Sequence, residues 1–215
     1  MTQLASSPDF PRHAPDFITS TSSTPTMSSH LPSAASRGIC TSLLILALAA
    51  CHPATSANDG AYRHASATLV DAGGRAVGTV QLVERSAGRV VLTGALHDLP
   101  PGPHGIHLHA VGQCDGAASF ASAGGHFNPG ARKHGLDSPD GPHAGDLPIV
   151  SVAADGRAAL NATTDRVTLG DGPSSLLDAD GSALVLHAAA DDQRTDPSGN
   201  SGARIACGVV KLESR

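Results

Sequence analysis

The sequence predicts an all-β fold for residues 62–215, an antiparallel sandwich or barrel of eight strands without a helix. Short runs rich in Val, Leu, Ile, Ala and Thr recur between turns rich in Gly, Asp and Pro, as is typical of such folds. Tight-turn sequences at 71–74, 86–88 and 154–156 favour antiparallel neighbours. A chain of about 150 residues suffices for one domain with its own core, and no linker divides it.

The strands follow from the apolar runs, taken in chain order. They are predicted at Ala67–Val70, Val77–Glu84, Val90–Leu96, Gly105–Val111, Ile149–Val152, Ala158–Thr164, Ala183–His187 and Arg204–Leu212. Three connections, 112–148, 165–182 and 188–203, are too long for hairpins, and long loops in a compact β domain usually carry function or cross between sheets. The chain contains no Trp, so the core must be largely aliphatic.

Residues 1–50 are interpreted as a disordered leader followed by a lipoprotein signal peptide. Residues 1–36 are rich in Ser, Thr, Pro and Ala and lack an apolar period, so they are expected to be disordered or not translated. The apolar run at 43–50 fits a signal peptide and is too short to span a bilayer, with a buried helix as the alternative. The end of this run resembles a bacterial lipobox with Cys51 as lipid acceptor. Met27 is a second candidate for the start of translation, and a chain that begins there has a signal peptide of ordinary length.

Lipidation at Cys51 predicts a periplasmic lipoprotein anchored to a bacterial envelope membrane. Residues 51–61 are then a flexible polar tether between the lipid and the domain. The formal net charge of -5 excludes a generally basic nucleic-acid binder. The sequence does not fix which membrane receives the lipid. It does not fix the oligomeric state either, and it is compatible with a homodimer.

The cysteines are consistent with export. Of the four in the chain, Cys40 lies in the signal peptide and Cys51 is the lipid acceptor, which leaves Cys114 and Cys207 as an even pair. We therefore expect a disulfide between them, since an exported domain meets oxidising conditions; two buried free thiols are the alternative.

Five histidines and an aspartate between residues 105 and 146 are the strongest signal of chemistry. His107 and His109 stand two apart in a predicted strand, so both can point at one ion while Leu108 faces a core. Alone, His-x-His is a weak signal, because two ordinary strand histidines give the same pattern. The others lie among Gly and Pro, in a loop that must fold over something: His126, His134, His143 and Asp146. Three imidazoles with one carboxylate suit tetrahedral zinc, and neutral imidazoles suit copper.

Several motifs, taken together and in order, resemble bacterial copper/zinc superoxide dismutase over roughly residues 62–212. They are His107-x-His109, Gly125-His126-Phe127-Asn128-Pro129, Lys133-His134-Gly135, His143-x-Gly145-Asp146-Leu147, Val185-x-His187-Ala188, Asp191-Asp192 and Gly202-x-Arg204-x-Ala206-Cys207-Gly208. The resemblance implies a Greek-key β-barrel with long metal-binding and electrostatic loops, of the immunoglobulin-like sandwich class to which that family is generally assigned.

The resemblance also implies a ligand set for copper (Cu) and zinc (Zn). Copper would be bound by His107, His109, His126 and His187. Zinc would be bound by His126, His134, His143 and Asp146. His126 is then shared, and only a deprotonated imidazolate offers one nitrogen to each ion.

The implied activity is dismutation of superoxide to oxygen and hydrogen peroxide by copper redox cycling, in envelope antioxidant defence. His126 would mediate proton transfer. Arg204 resembles the arginine that guides superoxide to copper, with a surface strand charge as the alternative. Asp191 resembles the carboxylate that hydrogen-bonds histidines of both metals, with a solvated loop acid as the alternative.

Some residues lie outside the pattern or depart from it. Ile106 and Ala110 replace the usual aromatic and acidic residues, which affects packing and not the ligands. Three further histidines are predicted to be surface or turn residues: His64, His97 and His104. In loop 188–203 the acidic residues Asp191, Asp192 and Asp196 outnumber Arg194, so substrate steering must rely on Arg204, Lys133 and the metals.

Two rival functions follow from the same residues. A non-catalytic copper/zinc-binding envelope lipoprotein would use the same ligands, but storage gains nothing from an anion-guiding arginine. A structural β-domain with a degenerate site would be expected to have lost a ligand, and none is missing.

Overall fold

The computed structural model describes residues 62–85 and 88–214. These residues form ten strands and a short 3₁₀ turn at Ala121–Ala123. The strands are β1 (Arg63–Asp71), β2 (Ala76–Arg85), β3 (Arg89–Leu96), β4 (Gly102–His104), β5 (Ile106–His109), β6 (Val150–Val152), β7 (Ala158–Thr164), β8 (Ala183–His187), β9 (Arg204–Val209) and β10 (Lys211–Leu212). The predicted leader, the signal peptide, Cys51 and Met27 lie outside the described residues.

The predicted all-β, antiparallel fold is confirmed. Seven strands follow one another in the order β5-β8-β9-β1-β2-β3-β7, with β10 added beside β1, and β4 pairs with β6 in a small second sheet. Every pairing between these strands is antiparallel. Neighbours such as β9 with β1 and β3 with β7 are not consecutive in the chain, so long loops cross between strands.

Two of the predicted strands differ from the structure in their bounds. The run predicted at 105–111 forms β5 only over Ile106–His109, and a separate short strand, β4, precedes it at Gly102–His104. Gly105 separates the two, because its N–H donates to the carbonyl of Ala189 and its carbonyl accepts from the N–H of His187. The last run is divided at Val210, whose N–H donates to Ser182 before β10 pairs with β1. Both interruptions arise from contacts with residues far along the chain, which a local apolar pattern does not contain.

The predicted aliphatic core lies between the strands. Alternate residues of β1 (Ala65, Ala67 and Leu69) are fully buried, and leucines from five further strands join them: Leu82, Leu92, Leu108, Leu160, Leu184 and Leu186. Alternation along β1, β2, β3 and β7 sends one face into this core and the other outward, whereas every residue of β5 and β8 is buried. Among the described residues, no helix is long and apolar enough to cross a membrane.

Candidate metal centre

Strands β5 and β8 carry three of the predicted ligands. They pair antiparallel, with Ile106 opposite Leu186 and His107 opposite Val185. On its other edge β8 pairs with β9, and a register shift between Leu186 and His187 in that pairing changes the direction of the last residue of β8. Every residue of β5 is buried, with Ile106 and Leu108 in the aliphatic core as predicted for Leu108. His107 and His109 therefore project together from the opposite face.

The loop that follows β5 returns to it twice and brings the remaining ligands with it. The N–H of Phe127 donates to the carbonyl of Leu108 at 2.8 Å, and the N–H of Leu108 donates to the carbonyl of Gly145 at 2.9 Å. A side chain at Gly145 would place its Cβ 2.2 Å from the Leu108 carbonyl oxygen, so only glycine allows this approach. His126 and Asp146, the neighbours of these two contacts, thus lie beside His109 and His107.

The structure collects one group of four histidines around a common point: His107, His109, His126 and His187. Their ligand atoms all lie within 4.8 Å of one another. The Nε2 atoms of His109 and His187 face each other at 3.4 Å. His107 Nδ1 and His126 Nε2 are buried and have no hydrogen-bond partner. Buried ring nitrogens without a partner are costly, and a shared metal ion satisfies them.

A second group lies on the other side of His126 and consists of His126, His134, His143 and Asp146. The Nδ1 atoms of His126 and His134 lie 2.9 and 3.0 Å from Asp146 Oδ1. His143 Nδ1 lies 3.3 Å from His126 Nδ1 and 3.4 Å from Asp146 Oδ1. Four donors bound tetrahedrally to zinc at about 2.0 Å are separated by about 3.3 Å, so these spacings fit that ion.

The outward ring nitrogens fix the orientation of the ligands. His109 Nδ1 donates to the carbonyl of Gly124 at 2.9 Å, and His187 Nδ1 donates to that of Gly202 at 3.2 Å. Asp191 holds one histidine from each group, because its two oxygens lie 2.6 Å from His107 Nε2 and 2.9 Å from His134 Nε2. Asp191 is therefore buried inside the site. It is not the solvated loop acid of the alternative interpretation.

Burial keeps the histidines of the first group neutral. It lowers the pKa of His107 to about 4, that of His109 to about 2 and that of His187 to about 3. The positive charge of Arg204 acts in the same direction on His109 and His187. Neutral imidazoles with free nitrogens are the form in which histidine binds metals.

In the second group, contacts between histidines and carboxylates outweigh the effect of burial on the pKa values of Asp146 and His134. Burial alone would raise the pKa of Asp146, but hydrogen bonds from His126 and His134 hold it well below its usual range. Burial alone would lower the pKa of His134, and its contacts with Asp146 and Asp191 instead raise it to about 9. A site with a permanent negative charge at its centre is suited to a divalent cation.

The predicted disulfide is present and ties β9 to the loop that precedes His126. Cys114 and Cys207 are bonded, with 5.6 Å between their Cα atoms. Arg204 lies three residues before Cys207 on the same strand and donates to the carbonyls of Phe120 and Gly124, both at 2.6 Å. The Gly124 carbonyl also accepts from His109, so the disulfide loop fixes the arginine beside the first group. Arg204 is half-buried, and burial lowers its pKa from the ordinary value.

Comparison with known proteins decides the family. Residues 76–210 match the model of the copper/zinc superoxide dismutase (SODC) family. The chain belongs to the copper/zinc superoxide dismutase family. It is 42% identical over 147 residues to a copper/zinc superoxide dismutase of Aquifex aeolicus, covering 67% of this chain and 86% of that protein. The corresponding values for a copper/zinc superoxide dismutase of Caulobacter vibrioides are 43% over 150 residues, 68% and 85%.

Solved structures agree with the sequence relationship. The crystal structure of a superoxide dismutase-like protein of Bacillus subtilis superimposes with a TM-score of 0.63 and 40% identity, covering 67% of this chain and 96% of that one. That relative is named dismutase-like, so identity at this level does not by itself separate an enzyme from a related protein. The side chains of the site have to make the distinction.

One histidine of this family member differs from the sequence prediction. His104, predicted at the surface or in a turn, is only 2% exposed. Its Nδ1 lies 2.7 Å from the carbonyl of His187 and its Nε2 lies 2.8 Å from that of Pro100, so it joins a ligand strand to the turn before β4. The surface prediction was wrong because its main partner is 83 residues away. His64 and His97 do lie at the surface.

The charges of loop 188–203 and of Lys133 are more balanced than the sequence indicates. Lys133, predicted to help in steering, lies 2.7 Å from Asp196, which neutralises its charge. Asp192 accepts from the N–H groups of Arg194 and Thr195, and these bonds lower the pKa of its carboxyl to about 2. The acids of loop 188–203 are thus held in local contacts, and Arg204 forms no ion pair with a carboxylate of the described residues.

Proposed function

We propose that this chain dismutates superoxide to oxygen and hydrogen peroxide at a copper and zinc centre. Copper would be held by His107, His109, His126 and His187, and zinc by His126, His134, His143 and Asp146. Copper, when bound, supplies the one-electron exchange with superoxide, and zinc supplies a fixed positive charge on the shared imidazole.

The observation that carries the proposal is the position of His126 between the two groups. Its Nδ1 faces Asp146 Oδ1 at 2.9 Å, while its Nε2 is buried without a partner among the other three histidines. One imidazole therefore offers a different nitrogen to each group. A protein that only stored two ions would have no need of a ligand common to both sites.

The side chains divide the remaining tasks. His126 would hold and deliver a proton at Nε2, the atom that faces the first group of histidines, while Asp146 keeps Nδ1 oriented. Asp191 fixes the rings of His107 and His134 and so couples the geometry of both groups. Arg204, held by two carbonyls, presents a fixed positive charge to an incoming anion.

The proposal is tested by loading the purified domain with both metals and measuring metal content together with superoxide decay. We expect one copper and one zinc per chain and rapid decay that His126→Ala abolishes. His64→Ala, which changes an exposed histidine outside the site, is the matched control and should behave as the wild type. If the wild type bound both metals but did not consume superoxide, the non-catalytic copper/zinc-binding protein would be favoured. If His126→Ala kept both metals, a ligand shared by the two sites would be excluded.

We further propose that the protein is a lipoprotein, anchored through Cys51 in the periplasm, where it serves in envelope antioxidant defence. The support is the lipobox-like ending of the apolar run and the presence of a disulfide, which oxidising compartments favour. Intact mass of protein extracted from membranes should give a chain that begins at Cys51 and carries lipid. A chain that begins well before Cys51, or one that carries no lipid, would contradict this proposal. Mass measured under native conditions is a separate test, which shows whether the protein is a homodimer.

A further inference from the structure

Arg166 lies outside both ligand groups but contacts the backbone of one member. It is half-buried in the loop after β7, and its Nη2 donates to the carbonyl of Asp146 at 2.7 Å. It forms no ion pair with a carboxylate among the described residues, and its buried Nε has no hydrogen-bond partner. The contact with Asp146 is thus the main polar contact of this guanidinium. We propose that Arg166 is a positioning residue that sets the zinc affinity of the centre through Asp146, an inference that rests on the proposed zinc ligands.

Asp146 is the member of the zinc group whose position matters most. Its Oδ1 lies against His126 and His134, and its Oδ2 accepts from the N–H groups of Gly135 and His143 at 2.8 and 2.9 Å. A rotation of this one residue would therefore misplace all three histidines. A charged donor that fixes its carbonyl restricts the backbone from which the carboxylate is oriented.

Both ends of the contact are attached to the core, so the bond can act as a rigid brace. Arg166 precedes the buried Val167, and its N–H donates to the hydroxyl of the buried Thr164 at 3.2 Å. Asp146 precedes Leu147, which is fully buried, and Gln193 donates to the carbonyl of Leu147 at 3.3 Å. The segment is thus held by one side chain from each of the two later loops. Movement at Asp146 requires that one of these contacts break.

A second effect of Arg166 opposes the first. A guanidinium is always charged and repels a bound cation, so removing it could strengthen zinc binding. The repulsion is weakened because the carboxylates of Asp146 and Asp191 lie in the site itself. Orientation acts on all four ligands at once, and outer partners of metal ligands usually affect affinity by about 10- to 100-fold. We therefore expect orientation to dominate.

The experiment measures zinc and copper affinities of the full domain separately, by competition with a chromophoric chelator for each metal. Arg166→Met keeps an unbranched apolar stem in place of the aliphatic part of the arginine and removes both charge and donors, so zinc affinity should fall by about 10- to 100-fold while copper affinity changes much less. Arg166→Lys keeps a charged donor without the planar fork and should lie between Arg166→Met and wild type. Arg63→Met is the matched control. Arg63 also donates to a backbone carbonyl, that of Leu169 in the loop that carries Arg166, but this carbonyl belongs to none of the ligands.

The outcomes separate this inference from the proposed function. If wild type fails to bind zinc, or His143→Ala binds it equally well, the proposed ligands are wrong. If wild type binds zinc and Arg166→Met binds it as tightly or more tightly, the positioning role is overturned and the charge is the larger effect. An equal loss of zinc and copper affinity would also overturn it, because that result indicates general loss of structure. If Arg166→Met does not fold, Arg166→Lys decides by the same comparison of the two metals.

Discussion

Replacement of Arg204 by Ile should slow the reaction with superoxide and leave metal binding intact. The guanidinium is held by the carbonyls of Phe120 and Gly124, both at 2.6 Å, so its position does not depend on a bound metal. An anion about 4 Å away gains about 4 kcal/mol at an effective dielectric constant of about 20, and half-exposure reduces this through solvent screening. A residual gain of about 1.4 kcal/mol corresponds to a rate about 10-fold lower in Arg204→Ile.

The assay compares second-order rates of superoxide decay at equal copper and zinc content over a range of ionic strength. Arg204→Lys should lose less than Arg204→Ile, since it keeps the charge but not the planar fork. Salt screens charges over about 8 to 10 Å at physiological strength, so the wild-type rate should fall with salt more steeply than that of the Ile variant. Arg194→Ile, which changes an exposed arginine in loop 188–203, just before β9, that is paired with Asp137, is the control and should change little. If Arg204→Ile held both metals and reacted as fast as wild type, the guiding role would be falsified.

Three further results are expected. At equal copper loading, His126→Ala should lose more activity than His143→Ala, because only the former removes a ligand common to both groups; equal activities would count against the bridge. Reduction of the Cys114–Cys207 bond, which closes a loop of 93 residues, should lower the free energy of unfolding by about 2 to 5 kcal/mol and release Arg204, as seen in melting temperature and rate; no change in either would refute the coupling. The metal-free protein should lose stability as the pH falls from about 6.5 towards 4, because the unfolded chain binds protons that folded His107, His109 and His187, with their lowered pKa values, do not. His134, with its pKa raised to about 9, contributes stability that is lost as the pH rises through that value. Denaturation midpoints should therefore fall both when the pH drops below about 6.5 and when it rises through about 9. Midpoints that stay constant from about pH 6.5 to 4 would contradict the neutral buried histidines.

Much of this arrangement could be predicted from the sequence, because the relevant information is local. The alternation of apolar residues predicted the strands, and the His-x-His spacing predicted that His107 and His109 share a face. The pairing of Cys114 with Cys207 followed from the count of cysteines in a chain that the sequence predicts to be exported. Family motifs in order predicted the two groups that the structure brings together.

The rest depended on contacts between residues far apart in the chain. His104 was placed at the surface because its partner, the carbonyl of His187, is 83 residues away. Lys133 was expected to steer substrate because its pairing with Asp196, 63 residues on, leaves no local signal. The sequence around Arg166 carries no signal of its role, because donation to the carbonyl of Asp146 requires only a main-chain acceptor and no particular partner side chain. Interactions with backbone carbonyls are therefore the part of this site that sequence patterns describe least well.

The central claim is that one histidine joins two metals, and anomalous scattering at the copper and zinc edges from crystals of the metal-loaded domain tests it most directly. We expect a copper peak on the side of His126 Nε2, among His107, His109 and His187, and a zinc peak on the side of its Nδ1, beside Asp146. A single peak, or two peaks of which neither contacts His126, would contradict it.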